Sequence, residues 1–193
     1  LAAVLRAAGH EVLLIDANLE AYESLLRPGP LGALAARLEA RLERLEGRSS
    51  LTHEEQLAYA ALWASRGDAV AAPPAIDAAL LTLRDRSGAR FFDPTQYDAA
   101  VATVERALRL ISAAYHPLDL SFAGYRTPFS LLTPETIAAD AEPHRDPFSS
   151  YFTAELAPRL ATAGVELIGV SIVFPGQLQP SFSLAAALRR ALP

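Results

Sequence analysis

The side chains that most often ligate metals or carry catalysis are scattered along this sequence. Its four histidines lie far apart, at His10, His53, His116 and His144. No second histidine stands four residues after His53, as a helical zinc site requires, and the Ser-Phe-Ser stretch at 181–183 lacks the glycines that frame a nucleophilic serine. Cysteine is absent, which excludes disulfides, iron–sulfur ligation and thiolate zinc sites within these residues. The composition therefore argues against a metal centre or a catalytic serine.

Two short turns are better candidates for a functional site, and the function that they suit is ligand binding. Residues 16–18 (Asp-Ala-Asn) follow one apolar run, and residues 174–177 (Phe-Pro-Gly-Gln) end another. Pro175 has no amide donor, Gly176 lets another surface approach the backbone closely, and the helix expected after Gln177 presents unpaired amides. The second turn is either a ligand-binding corner or an ordinary tight turn, because proline and glycine are common in turns of every kind.

The two apolar runs have the character of buried strands. Residues 12–15 and almost every residue of 165–174 are apolar at successive positions instead of alternate ones, which is typical of parallel strands covered by helices on both faces. Each fully buried Val, Leu or Ile stabilises the fold by roughly 1.5–3 kcal/mol relative to the exposed side chain. Neither face of such a strand should therefore be exposed to solvent. Each run also follows a helical pattern that ends in a glycine, Gly9 or Gly164.

This order of elements predicts an α/β fold, namely part of a doubly wound, Rossmann-like parallel sheet with a large helical insertion. We expect residues 11–16 and 165–173 to be neighbouring parallel strands, since a long crossover joins them. Helices at 1–8 and 178–191 are expected to pack against the sheet. Ligands in such folds bind beyond the carboxyl ends of the strands, which is where both turns lie.

The long region between the two runs is predicted to be mainly helical. Apolar residues recur at helical spacing through residues 31–114, between capping signals such as Thr52 with Glu55. The next stretch, 115–132, has no clean period and contains proline, glycine and serine, so we expect it to be irregular and anchored by aromatic side chains. The candidate anchors are Tyr115, Phe122, Tyr125 and Phe129.

Composition limits the classes of partner. Hydrophobic residues make up 51% of the chain, enough for a core, and no apolar run reaches the roughly 18 residues of a membrane-spanning helix. The formal net charge is −5, so the chain lacks the broad basic face that nucleic acids require. With no export signal visible, we expect a cytoplasmic protein that binds neither nucleic acid nor membrane. Both ends of the sequence fall beside helical patterns, and we expect it to be a fragment of a longer protein.

Two blocks of the sequence resemble the cobalamin (B12)-binding domain of B12-dependent radical SAM enzymes, in particular those that modify ribosomal peptides. The first block is LAAVLRAAGHEVLLIDAN, and the second is PFSSYFTAELAPRLATAGVELIGVSIVFPGQLQPSFSLAAALRRALP. The resemblance implies that residues 1–19 and 148–193 are parts of a Rossmann-like cobalamin-binding domain. Residues 20–147 would then be a mainly helical insertion with the irregular aromatic segment at 115–132.

The resemblance also implies which residues contact the cofactor. A 4Fe–4S cluster and S-adenosylmethionine would be bound outside this cysteine-free chain. The Asp-x-His-x-x-Gly motif, whose histidine ligates cobalt in other B12 domains, is absent, so no protein histidine is expected on the cobalt. The candidate cobalamin contacts are Ser171, Phe174, Pro175, Gly176 and Gln177, with Asp16 and Asn18 as further candidates.

Three functions fit these features. The first is the cobalamin-binding portion of a radical SAM enzyme, a methyltransferase or other peptide-modifying enzyme acting on a peptide or a small molecule. The second is a non-catalytic α/β interaction module whose helical insertion binds a partner. The third is a Rossmann-like domain for another small ligand. A three-cysteine motif beyond this chain would favour the first, and its absence would favour the other two.

Overall fold

The computed structural model of this chain describes residues 2–128 and 133–192. Helices dominate these residues, and the strands among them form a two-stranded antiparallel sheet. Parts of the sequence interpretation lie outside the described residues: Leu1 at the start of helix 1–8, residues 129–132 of the irregular segment with the candidate anchor Phe129, and Pro193 at the end of the second block.

Six helices occupy the described residues up to position 114. They are α1 (Ala2–Ala7), α2 (Ala17–Leu25), α3 (Pro28–Glu46), α4 (His53–Ala64), α5 (Arg66–Leu83) and α6 (Pro94–Ala114). The main packing unit joins α3, α5 and α6, and α4 packs against all three. The leucine stripe of α3 is buried, at Leu31, Leu34, Leu38, Leu42 and Leu45. Burial of such stripes stabilises helices that would be marginal in isolation.

Side-chain caps fix where α4 and α6 begin. Thr52 Oγ1 accepts a hydrogen bond from the Glu55 amide at 3.3 Å, and the Thr52 amide donates to the Glu55 carboxylate at 2.9 Å. This is the capping box predicted from the sequence. At the start of α6, Asp93 Oδ1 accepts from the amides of Thr95 and Gln96 at 3.0 and 3.1 Å. Each cap satisfies amides that have no partner within the helix, and is worth about 1 kcal/mol.

The remaining described residues form a hairpin followed by short helices. The hairpin pairs β1 (Asp119–Ser121) with β2 (Gly124–Arg126), and Leu120 lies opposite Tyr125. The helical elements after it are α7 (Pro134–Asp140), α8 (Ser149–Tyr151), a π-helical turn (Phe152–Leu156), α9 (Ala157–Thr162), a 3-10 turn (Pro175–Gln177) and α10 (Leu178–Ala191). The long helix α10 packs on α7, α8, α9 and the π-helical turn.

The expected α/β fold with a parallel sheet is wrong for the described residues. Residues 11–16 and 165–173 contain no strand, and the hairpin at 119–126 is the sheet that forms. A strand exists only where its backbone groups pair with those of another strand. Among the described residues neither segment has such a partner, although the side chains of both have strand-like composition.

The helices assigned to that sheet are also placed differently. Helix α1 forms within the expected range, but none of its described residues is buried. Helix α10 forms as expected, yet it lies against other helices, and Leu184 and Leu188 on its apolar face join the main core. Because the described residues form no parallel sheet for it to cover, α10 buries its apolar face against helices.

Aromatic side chains join the N-terminal helices to the hairpin and the helical elements that follow it, which we call the C-terminal group. Phe148 is buried, and its ring centroid lies 5.0 Å from that of Tyr22 on α2, 6.2 Å from Tyr125 on β2 and 6.4 Å from Phe152. We call these four residues the aromatic junction. Aromatic pairs contribute about 0.5–1.5 kcal/mol beyond the area they bury. Of the predicted anchors, Tyr125 lies in this junction, whereas Phe122 is 61% exposed.

A polar contact links α2 to the same C-terminal group. The Tyr151 hydroxyl donates to Glu20 Oε2 at 2.7 Å, and Arg159 Nη1 contacts the same oxygen at 2.8 Å. The hydrogen bond from Arg159 is the main reason that the pKa of Glu20 falls below its ordinary value. A hydrogen bond from Ser24 to Glu155 adds a second link. Helix α2 is therefore fixed to α8, α9 and the turn between them.

The π-helical turn between α8 and α9 has a local cause in Pro158. The Ala157 amide bonds to the carbonyl of Phe152, five residues back. In an α-helix, a proline at 158 would lack its amide and its ring would collide with the carbonyl of Ala154. A wider turn before the proline relieves that collision, and the chain continues as α9 instead of breaking.

Candidate functional site

Four of the candidate cobalamin contacts form one continuous corner at the start of α10. Phe174 is extended (φ −121°, ψ 146°), and the 3-10 turn after it leads directly into the helix. Gln177 Oε1 accepts hydrogen bonds from the amides of Val173 at 2.9 Å and Phe174 at 3.2 Å. The glutamine side chain therefore fixes the backbone of the corner, which we define as residues 174–177.

The outer side of the corner is open. Phe174 is 66% exposed, and the neighbouring Ser171 and Pro175 are exposed as well. Within the described residues, the Ser171 hydroxyl and the Gln177 nitrogen Nε2 donate to no other group. The corner thus offers an apolar surface with two free hydrogen-bond donors beside it.

Gly176 faces the inner side of the corner. A Cβ atom at this position would lie 3.3 Å from the Tyr125 amide nitrogen, 3.6 Å from the Tyr125 carbonyl oxygen and 3.8 Å from Gly124 Cα. Gly176 therefore lets the corner approach the backbone of β2 closely. The close approach that the sequence indicates at Gly176 is thus made by the chain's own hairpin, which supports the corner from within.

We expect Gly176→Leu to lower the free energy of unfolding by about 1–3 kcal/mol, because the new side chain must push β2 away from the corner. Gly169→Leu is the matched control, since a Cβ atom at Gly169 meets nothing within 4 Å. The control should change stability by no more than about 0.5 kcal/mol. Urea unfolding measures both variants, and equal stabilities would contradict the packing of the corner on the hairpin.

Asp16 and Asn18 lie at the start of α2. Asp16 is the N-cap residue, and its Oδ1 accepts a hydrogen bond from the Leu19 amide at 3.0 Å. Asn18 is exposed in the first turn. In the part of the chain that the structure describes, no hydrogen bond joins either residue to the corner. The capping bond explains Asp16 without a ligand, and the exposed amide of Asn18 is available to one.

A buried carboxyl group that the sequence interpretation did not single out as functional lies close to α10. Asp146 is 1% exposed; its Oδ1 accepts a hydrogen bond from the Phe148 amide at 2.9 Å, and its Oδ2 has no partner among the described residues. Burial is the main reason that the pKa of Asp146 rises from 3.8 to about 6. The hydrogen bond from the Phe148 amide and the nearby Ser183 hydroxyl, which donates to the Ala141 carbonyl, oppose the rise, and the nearby Asp140 adds to it.

Gln179 on α10 is a second buried residue whose side chain has a hydrogen-bond acceptor without a partner among the described residues. Its Nε2 donates to the Ile137 carbonyl at 2.9 Å, whereas its Oε1 has no partner among the described residues. No local sequence signal identifies either group. The Asp146-Pro147 pair has the composition of an ordinary helix start, and burial depends on elements distant in sequence.

An open groove of about 610 Å³ lies between α4, α6 and the hairpin. Its walls include Ala61 of α4, Leu108 of α6 and the exposed Phe122 in the hairpin turn. The Leu120 amide donates to the Ser112 hydroxyl at 2.8 Å, which fixes the hairpin to α6. The groove is therefore largely apolar and framed by elements that are held together.

The described side chains and the comparisons with known proteins do not by themselves identify a function. Among the described residues, no group of three or more His, Asp or Glu side chains could hold a metal ion. None of the helices described is long and apolar enough to cross a membrane. Compared with known proteins, the chain matches no family model, no curated protein and no solved structure. The corner and the sequence resemblance are therefore the basis on which a function can be argued.

Proposed function

We propose that this chain is the cobalamin-binding portion of a radical SAM enzyme, with the corner as the surface on which the corrin ring lies. The observation that carries the proposal is the exposed apolar corner, whose backbone Gln177 holds in place. The resemblance of residues 1–18 and 147–193 to cobalamin-binding domains supports it. The proposal concerns the corner and does not require a parallel sheet, which the described residues do not form.

The side chains of the corner fit the chemistry of cobalamin. The faces of the corrin ring are broad and largely apolar, and its rim carries amide groups. Phe174 and Pro175 supply apolar contact, and the free donors of Ser171 and Gln177 can bond to rim carbonyls. Gly176 contributes indirectly, because it seats the corner on the hairpin. The exposed amide of Asn18, with Asp16 beside it, would add polar contacts from the start of α2.

The task of this chain would be to bind and orient the cofactor. Cobalamin in such enzymes often carries a methyl group for transfer, and the substrate would be a peptide or a small molecule. None of the seven candidate residues is a histidine, so the cobalt would have no imidazole ligand from this site. The iron–sulfur cluster and S-adenosylmethionine would bind to residues outside this cysteine-free chain.

We expect the chain to bind hydroxocobalamin, and Phe174→Ala to weaken that binding by about 10- to 150-fold. Losing a buried aromatic contact costs roughly 1.5–3 kcal/mol, which corresponds to that range. Absorbance titration measures the dissociation constant. Phe122→Ala is the matched control, since Phe122 is similarly exposed but lies in the hairpin turn beside the groove, and its affinity should be unchanged.

Two outcomes would contradict the proposal. If the folded wild-type chain binds no cobalamin, the cofactor is wrong, and a non-catalytic interaction module becomes the better interpretation. The apolar groove beside α4 and α6 would then be the first surface to study. If cobalamin binds but Phe174→Ala and Phe122→Ala behave alike, the corner is not the site. Thermal unfolding of each variant separates lost binding from lost folding.

A further inference from the structure

An open pocket lined by aromatic side chains lies where the loop after α5 meets the start of α6. It has a volume of about 340 Å³, and its lining consists of Phe91, Phe92, Pro94, Tyr97 and Asp98. We call it the phenylalanine pocket. The ring centroid of Phe91 lies 5.2 Å from that of Phe92 and 5.3 Å from that of Tyr97, at interplanar angles of 89° and 77°. The three rings therefore form adjoining walls of one pocket and not a flat layer.

The loop that carries Phe91 and Phe92 is held by its own hydrogen bonds. Asp85 Oδ2 accepts from the Arg90 amide at 2.8 Å, and the Phe92 amide donates to the Gly88 carbonyl at 2.8 Å. The Phe92 ring packs directly on Gly88, where a Cβ atom would lie 2.8 Å from the ring. The loop thus holds Phe92 in place although the residue is 80% exposed, and a bound group that covers the ring would be stabilised by burying it.

The charge at the phenylalanine pocket is negative. Asp98 supplies a carboxylate, and no basic side chain lines the pocket in the part of the chain that the structure describes. The ion pairs among those residues involve other carboxylates, so no arginine neutralises Asp98. Arg90, next to Phe91 in sequence, is paired with Asp85 at 3.7 Å. The pocket therefore combines aromatic walls with a carboxylate that has no counter-ion.

Two aromatic rings elsewhere in the chain already face an internal cation. Arg66 Cζ lies 5.0 Å from the ring centroid of Trp63, and Arg37 Cζ lies 4.9 Å from that of Tyr115. Both distances are within the range of cation–π attraction. Among the residues described, no arginine lies over a ring of the phenylalanine pocket in this way, so its rings are open to a cation from outside the chain.

We propose that the phenylalanine pocket binds the quaternary ammonium group of a small molecule. The rings attract the positive charge, the methyl groups cover apolar ring surface, and Asp98 is the counter-ion. A primary ammonium ion is strongly hydrated and loses more on leaving water, and a neutral apolar molecule makes no use of the carboxylate. The quaternary ammonium group is therefore the occupant that suits both the rings and the charge.

The size of the pocket favours a small molecule over a macromolecule. About 340 Å³ is at the lower end of the range for small-molecule sites. Its five lining residues are far fewer than the roughly 20 on each side of a stable protein interface. None of the five belongs to the corner, so the inference does not depend on cobalamin binding.

A titration of the full 193-residue chain followed by nuclear magnetic resonance tests the proposal. The probe is choline, and the matched control is its neutral isostere, in which a carbon atom replaces the nitrogen. The two molecules have nearly the same shape, so their difference in affinity reports the charge. We expect choline to bind at least about tenfold more tightly than the isostere.

Two substitutions separate the rings from the carboxylate. Phe92→Ala should weaken binding of choline by about 2- to 30-fold, and Asp98→Asn should weaken binding of choline but not of the isostere. Both residues are exposed, so neither substitution should unfold the chain. Phe122→Ala removes an exposed ring outside the pocket and should leave the affinity for choline unchanged.

Three results would overturn the proposal. The first is the absence of saturable choline binding by the folded wild-type chain. The second is equal affinity for choline and the isostere, which would identify an ordinary apolar surface. The third is binding of a peptide with one trimethylated lysine at least about tenfold more tightly than choline, which would identify a polypeptide as the occupant.

Discussion

When the pH falls from 7.5 to 5, protonation of Asp146 alone should raise the free energy of unfolding by about 1.5 kcal/mol. The pKa of this buried carboxyl is about 6 in the folded chain, against an ordinary value of 3.8. A raised pKa means that the folded state binds the proton more tightly than the unfolded state does. Stability therefore rises as the pH falls from about 7 towards about 4, and the full gain is about 3 kcal/mol.

Asp146→Asn isolates this effect, because other carboxyl groups act in the opposite direction. Glu20, Asp85 and Asp93 have lowered pKa values, so their contributions are lost as the solution becomes acidic. The stability difference between variant and wild type should change by about 1.5 kcal/mol between pH 7.5 and pH 5. Urea unfolding at each pH measures it, with the exposed Asp119→Asn as control. A difference that does not vary with pH would contradict a buried charge at Asp146.

Phe148→Ala should cost about 3–5 kcal/mol of the free energy of unfolding, the largest effect we expect from one substitution. Phe148 is 4% exposed and contacts three other rings of the aromatic junction. Removing it leaves a cavity where α2, the hairpin and the π-helical turn meet, and the fixed elements around it can fill that cavity only in part. The whole C-terminal group is therefore expected to loosen.

The same substitution at Phe122 is the matched control for the aromatic junction. Phe122 is 61% exposed, so Phe122→Ala should lower the free energy of unfolding by no more than about 0.5 kcal/mol. The midpoint of urea unfolding, followed by circular dichroism, compares the two variants. Similar midpoints for Phe148→Ala and Phe122→Ala would contradict the central position of Phe148.

Local signals in the sequence were sufficient for much of the helical structure. The capping box of Thr52 and Glu55 and the cap at Asp93 were recognisable because their partners lie within a few residues. The leucine stripe of α3 was recognisable because helical periodicity repeats over several turns. The two caps and the leucine stripe depend on residues that are close in sequence, and the structure has them at the predicted positions.

The parallel sheet could not be settled from local signals. Residues 11–16 and 165–173 have the composition of strands, but a strand also needs a partner, which composition does not specify. The same limit applies to the candidate site. The Pro-Gly turn was visible in the sequence, whereas the contact of Gly176 with Tyr125 and the unmet acceptor of Asp146 arise only from tertiary packing.

The π-helical turn before Pro158 also determines the direction around the helix axis in which each residue of α9 faces. Each residue of an α-helix advances by about 100° around the axis, and one π-helical turn holds an extra residue, so the two halves are out of phase by roughly that angle. In this phase Arg159 faces Glu20 of α2. An unbroken α-helix through residues 149–162 would rotate Arg159 by about a quarter of a circle away from that carboxylate. Pro158, whose ring nitrogen cannot donate a hydrogen bond, thus sets the rotational register in which the C-terminal group engages α2.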